Sequence, residues 1–185
     1  MNYHETISWL YSQLPFYQKQ GEKSYKAGLE HVLEFFNKNS KDDLLFDSIH
    51  IGGTNGKGSV SHMLSSILQE SGLKTGLFTS PHLVDFRERI KINGRKISQQ
   101  FIVDFVKLYM QDFIELKMSF FEMNVAMAFR YFTLKKVDIA VVEVGLGGRL
   151  DATNIIKPRL SIITNTSLDH SYLLGGSLDA ITREK

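Results

Sequence analysis

The stretch Phe46-Asp47-Ser48-Ile49-His50-Ile51-Gly52-Gly53-Thr54-Asn55-Gly56-Lys57-Gly58-Ser59-Val60 decides the fold. Phe46 to Ile51 is a short apolar run and reads as a strand. Val60, Met63, Leu64, Ile67 and Leu68 follow at helical spacing, with Gly72 as a stop signal. Between them lies a glycine-rich loop. A loop that leaves a strand and enters a helix can aim several backbone N–H groups at a phosphate, and the helix N-terminus adds positive potential. Glycine lets that backbone approach closely. Lys57 supplies a mobile charge for the outer phosphates and Ser59 a hydroxyl. The pattern is not a strict Walker A: Ile51 stands where its first glycine would be, and Gly58 separates the lysine from the hydroxyl. A glycine-rich turn with an incidental lysine is the alternative, and the strand–loop–helix context argues against it.

Working outward, the pattern alternates strands with helices. Thr75 to Thr79, Ile139 to Val144 and Leu160 to Thr164 read as further strands. Asn93-Gly94 between apolar residues predicts a hairpin within 89–97. Helices are expected from about Ser98 to Glu115 and along Phe121, Val125, Ala128, Phe129 and Phe132, and Ser177 is placed to cap a last one. Before the first strand, two helices are expected, one presenting Ile7, Leu10, Tyr11 and Leu14 and the other Leu29, Val32, Leu33 and Phe36. Near-continuous apolar strands separated by helices predict an α/β fold: a mostly parallel sheet covered by helices on both faces. Ligands of such sheets bind beyond the carboxyl ends of the strands. Lys57, Ser80, Glu143 and Asp169-His170 all fall there.

The 185 residues are 43% hydrophobic and 23% charged, ordinary for a globular chain with a core. A net charge of +2 gives no bulk attraction to nucleic acid or to an anionic membrane. Without cysteine there are no disulfides and no thiolate metal sites. No apolar run approaches the ~20 residues that span a bilayer, and the start lacks a signal-peptide pattern. A cytoplasmic protein is expected.

Glu143 interrupts an apolar strand. A buried carboxylate is unfavourable unless it is paired or bound to a cation. Mg²⁺, which takes carboxylate, phosphate and water oxygens, would account for it; an ion pair with Arg149 is the competing explanation. His170, Ser80 and Glu122 are individually weak signals: a loop histidine, a turn serine and a first-turn carboxylate. Gly145-Leu146-Gly147-Gly148 fails as a dinucleotide fingerprint, because its third glycine would fall on Leu150.

Five stretches together resemble the folylpolyglutamate synthase/dihydrofolate synthase family of the Mur ligase superfamily. They are residues 50–60; Phe78-Thr79-Ser80-Pro81-His82-Leu83 with Phe86-Arg87-Glu88-Arg89-Ile90; Ser119-Phe120-Phe121-Glu122-Met123; residues 143–154; and Asp169-His170 with Arg183-Glu184-Lys185. Tyr25-Lys26-Ala27-Gly28-Leu29-Glu30 adds to the match. The resemblance implies a Mur-ligase-type phosphate-loop ATPase domain. Its members use ATP to phosphorylate a carboxylate of dihydropteroate or a reduced folate, and L-glutamate then displaces the phosphate. Carried over by position, Thr54, Asn55, Gly56, Lys57, Gly58 and Ser59 form the ATP loop. Ser80 and Glu143 hold one Mg²⁺ and His170 a second. Ser119, Phe120, Phe121 and Glu122 with Leu150, Asp151 and Ala152 line the pterin side. Lys185 matches a lysine that the family carbamylates to support the second metal, so Lys57, Glu143, His170 and Lys185 form the catalytic set. Gly176 and Ser177 stand where aspartate and threonine are usual. Members of the family are much longer. The resemblance therefore implies that residues 1–185 are the N-terminal part of the ATP-binding domain, that a glutamate-side domain is absent from this stretch, and that the stretch alone binds nucleotide weakly and ligates essentially nothing. The full-length protein is expected to be a monomer. Two readings compete: a ligase acting on UDP-linked acids, against which the Ser-Pro-His-Leu and Phe-Phe-Glu-Met stretches argue, and a non-catalytic nucleotide-binding fragment.

Overall fold

A computed structural model describes residues 1–13, 28–39, 44, 46–169 and 171–185. Its centre is the strand β1 (Asp47–Gly52), flanked in parallel by β5 (Ile139–Glu143) and β6 (Leu160–Ile163). On the far side of β5 lies β2 (Thr75–Phe78), also parallel. β3 (Ile90–Ile92) and β4 (Arg95–Lys96) then extend the sheet antiparallel, giving the order β4-β3-β2-β5-β1-β6. Asn93 and Gly94 take φ of 47° and 70°, the left-handed pair that a two-residue hairpin turn needs.

The parallel strands alternate their apolar side chains between two covered faces. In β5, Val141 meets α3 (Lys57–Glu70), whereas Ala140 and Val142 face the larger layer. That layer holds α1 (Tyr3–Ser12), α2 (Glu30–Asn39), α4 (Gln99–Glu115) and α5 (Phe120–Leu134). Phe35, Phe105, Phe113, Phe129 and Phe132 pack there as a continuous aromatic core. Side-chain caps start two of the helices: Ser98 Oγ accepts from Phe101 N at the head of α4, and Ser177 Oγ, the cap expected from the sequence, accepts from Ala180 N to start α7 (Leu178–Glu184), which follows the short α6 (Ser171–Leu174).

Three expectations are corrected. In α2 the buried face is Val32, Phe35 and Phe36, while Leu33 is exposed, because the aromatic pair takes the contact with α4 and α5. In α3, Met63 and Ile67 lie 66% and 64% exposed, and Ser61 and Ser65 are buried instead. Small hydroxyl side chains let this helix sit close to the sheet, with Val60, Leu64 and Leu68 reaching into its core. The strand β6 reads as buried but is exposed along most of its length: it lies at the edge of the sheet, with β1 its one partner strand among the described residues. Leu14, Tyr25, Lys26, Ala27 and His170, used in the sequence reading, lie outside the described residues.

Candidate nucleotide and metal site

The chain passes from β1 to α3 through residues 53–56. Gly53 takes a φ of 136° and Gly56, the N-cap of α3, a φ of 82°, both in the region open to glycine. The first amides of α3 have no intrahelical carbonyl to donate to and point out of its N-terminus. Lys57 Nζ folds back over the loop and donates to Gly53 O at 2.8 Å and Thr54 O at 3.2 Å. An ammonium whose partners among the described residues are carbonyls can swing to a phosphate without breaking an ion pair with them.

The loop is also held from outside, by residues that the sequence reading passed over. Asn165 brackets it: its backbone O accepts from Thr54 N at 2.9 Å, its Oδ1 from Asn55 N at 3.1 Å, and its Nδ2 donates to Asn55 O at 3.1 Å. Thr164 Oγ1 lies 2.6 Å from Asn55 O and 3.3 Å from Gly52 O. Ser167 N donates to Thr54 Oγ1 at 3.0 Å. The available signal was a run of polar residues, Thr164 to Ser167, leaving a parallel strand at the ligand-binding edge.

Glu143 closes β5 one strand away. Its carboxylate is buried and accepts from Ser80 N at 2.9 Å. Burial pushes its pKa up, against the Ser80 N–H and the charges of Lys57 and Arg89. The expected alternative partner, Arg149, pairs instead with Glu184 at 2.8 Å. Ser80 and Glu143 are thus brought together, with Gly58 of the phosphate loop alongside: a Cβ on Gly58 would lie 3.5 Å from Glu143 Oε1. Among the described residues no three His, Asp or Glu side chains gather into a cage. One buried carboxylate with a neighbouring hydroxyl is a donor set that suits Mg²⁺ completed by phosphate and water oxygens.

Arg89, quoted above without a role, is 8% exposed. Its Nε donates to His82 Nδ1 at 2.8 Å, and its guanidinium lies 5.2 Å from the Phe120 ring centre. Burial, and secondarily the charge of Arg89, lowers the pKa of His82. His82 Nε2 meets Tyr11 Oη at 3.0 Å, so α1 is tied to the loop that carries Ser80.

On the expected pterin side, Ser119 and Glu122 form a reciprocal cap. Glu122 Oε2 accepts from Ser119 N at 2.7 Å, and its other oxygen lies 3.4 Å from His31 Nδ1. Phe120 is buried against Tyr11, while Phe121 packs on the backbone of Gly145, where a Cβ would come within 2.5 Å of the ring. Asp151 is buried and accepts from Leu146 N and Thr153 N at 2.9 and 3.0 Å. Ala152 is in the core and Leu150 half-buried. Asp151 holds the turn at 145–151; the wall these residues present is Phe121 and that turn.

Lys185 ends this arrangement. Burial lowers its pKa; the nearby charge of Lys57 acts the same way, and Asp169 opposes it. A cavity of about 160 Å³ adjoins it, walled by His50, Gly52, Arg149, Asn154 and Ser161 among others; none of residues 54–59 lines it. The structure therefore places Lys57, Ser80, Glu143, Asp169 and Lys185 at one edge. No helix among the described residues is long and apolar enough to cross a membrane.

Comparison with known proteins agrees with this geometry. The model of the Mur ligase middle domain matches residues 51–185. A folylpolyglutamate synthase of Lacticaseibacillus casei is 36% identical over 192 residues, which take in 100% of this chain and 43% of that protein. A solved FPGS–AMPPCP–folate complex superposes with a TM-score of 0.87 at 34% identity, covering 100% of this chain and 45% of the other. A crystal structure of bifunctional folylpolyglutamate synthase/dihydrofolate synthase with Mn, AMPPNP and L-glutamate bound gives 0.83 at 33%, covering 97% and 43%. The chain spans less than half the length of these relatives. With the Mur ligase middle-domain model matching residues 51–185, the chain belongs to the Mur ligase family and is similar to folylpolyglutamate synthases.

Proposed function

We propose that this chain is the nucleotide-binding part of an ATP-dependent amide ligase that joins L-glutamate to dihydropteroate or to a folate. The observation that carries the reading is the meeting of Lys57, Ser80 and Glu143 at the ends of three neighbouring parallel strands, with the Phe121 ring, packed on Gly145, beside them. The relatives' bound ligands support the substrate classes: a nucleotide analogue, folate and glutamate.

In this reading the substrate carboxylate oxygen attacks the γ-phosphorus of ATP, and the bond to ADP breaks. The amine of glutamate then adds to the acyl carbon, and the tetrahedral adduct expels phosphate. Phosphoryl transfer is mostly positioning and charge neutralisation. The amides opening α3 hold the phosphates, and Lys57 swings from its loop carbonyls to the transferred group. Glu143 and Ser80 would hold Mg²⁺, which neutralises phosphate charge when bound. His170 is proposed as a further ligand, with Lys185, as its carbamate, in support. The wall of Phe121 and the turn at 145–151, backed by the buried Phe120 and Ala152, excludes water from the activated acid. Groups for glutamate are assigned to sequence that the relatives carry beyond the matched stretch, so the 185 residues alone should bind MgATP weakly and ligate at background rate.

The test is ADP release by the protein at the length its gene encodes. Turnover should require Mg²⁺, glutamate, and dihydropteroate or a reduced folate together. Turnover with a UDP-linked acid but neither pteroate nor folate would overturn the substrate assignment.

A further inference from the structure

The phosphate loop does not hold its own shape. Its two internal supports come from Lys57 Nζ, the group that must leave to meet a phosphate. Among the described residues, the remaining supports come from one segment more than 100 residues away in sequence, residues 164–167. That segment reaches the loop because β6 lies parallel to β1, with Gly52 opposite Ile163. The two chains therefore leave the sheet side by side.

The contacts are specific. Asn165 presents its side-chain oxygen to Asn55 N–H and its side-chain nitrogen to Asn55 O, a two-point bracket that fixes which way the amide group points. Thr164 Oγ1 donates to the same carbonyl at 2.6 Å. Thr164 also fills the space beside Gly53, where a Cβ would stand 2.0 Å from its hydroxyl. The side-chain oxygen of Thr54 is taken by Ser167 N–H.

We infer that residues 164–167 are a clasp that sets the phosphate loop, with Thr164 and Asn165 as positioning residues for ATP. The clasp divides the loop's donors in two. The amides of Thr54 and Asn55 are spent on Asn165, so they are not phosphate donors. The phosphate cradle is the set opening α3, at residues 56–59, and the side-chain amide of Asn55 is the polar group that 54–55 have left for nucleotide. With the cradle anchored from outside, Lys57 can move to the phosphate without collapse of the loop. This rests on the ATP reading above, but the clasp has a signature of its own.

That signature is amide hydrogen exchange in the nucleotide-free protein at its full encoded length. Asn55 should be protected, and Asn165→Ala should speed its exchange at least ~10-fold, since one hydrogen bond holds it. Added MgATP should bring new protection at residues 57–59. In titrations, Thr164→Val should raise the ATP Kd by about tenfold, the worth of one such bond, and Asn165→Ala, which removes two, by at least about tenfold. Thr164→Ser, which keeps the hydroxyl, should stay within about threefold of the parent on the same scale. The KM for glutamate should not move. The clasp is overturned if Asn55 exchange ignores Asn165→Ala, if Thr164→Ser is as weak as Thr164→Val, or if the variants lose thermal stability while ATP affinity holds. Should Asn165→Ala not fold, the valine and serine pair decides. A parent protein that fails to bind MgATP, yet shows Asn55 protection dependent on Asn165, would sink the nucleotide reading and leave the clasp standing.

Discussion

Replacing Gly53 by alanine tests how tightly the loop and the clasp are fitted. Gly53 has a φ of 136°, which an L side chain rarely adopts, and such strain is worth about 1–3 kcal/mol. The new Cβ would stand 2.0 Å from Thr164 Oγ1 and 3.1 Å from Thr164 Cβ. Thr164 must then rotate and lose its bond to Asn55 O, for about 1 kcal/mol more. The sum, roughly 2–4 kcal/mol, is a large share of the stability of a domain. At this chain length it predicts a fall in Tm of roughly 4–16 °C. Thermal and urea unfolding of the single variants and of Gly53→Ala with Thr164→Ala give a double-mutant cycle. Removing the hydroxyl first should relieve the clash and leave the backbone strain, so the second substitution should be less damaging by about 1 kcal/mol. If Gly53→Ala is neutral, or equally damaging in both backgrounds, the fit of Thr164 into the space beside Gly53 is wrong.

Lys57→Ala should lower kcat by roughly two to three orders of magnitude, the usual loss when a charge facing the transferred group is removed; single-turnover kinetics would show it, and an unchanged rate would refute the role. Glu143→Gln should abolish the Mg²⁺ dependence of ATP binding and yet raise the metal-free Tm near pH 8, because it removes a buried charge but keeps an acceptor for Ser80 N–H; a lowered Tm would count against it. Burial drops His50 from 6.5 to about 4. The fold therefore keeps it neutral while the unfolded chain protonates, so its contribution is intact above pH ~6.5 and fades as the pH falls towards 4, by roughly 3 kcal/mol in all. His50→Gln should flatten that slope in urea titrations from pH 7 to pH 4, and an unchanged slope would assign it elsewhere.

The local signals in this sequence were readable and the distant ones were not. Asn93-Gly94, the Ser177 cap, the helix start near Ser98 and the strand–loop–helix around Lys57 each fix backbone within a few residues. Helix faces were harder where chemistry overrides apolar pattern: Gly58 faces Glu143, which fixes the rotation of α3 and leaves Met63 and Ile67 outside. The clasp could not be read, because Asn165 meets Asn55 only once β6 is known to pair with β1. Arg89 was hidden for the same reason; its burial depends on His82 and on Phe120, from two other elements.

The parallel sheet explains why these charges can coexist. Strands running the same way deliver Lys57, Ser80, Glu143 and Asp169 to one edge from four separate connections. Among the described residues Lys57 and Glu143 form no ion pair with each other: Lys57 is held by loop carbonyls and Glu143 by a backbone N–H. A direct pair would be the cheaper way to bury opposite charges, but each would then have to be pulled off the other before meeting a ligand. Backbone partners keep both in place and both available, and groups fixed before the substrate arrives need no rearrangement when charge develops on it. The raised pKa of Glu143 goes with that arrangement: burial leaves the carboxylate under-compensated in the protein alone, and the proposed Mg²⁺ would supply the missing positive charge.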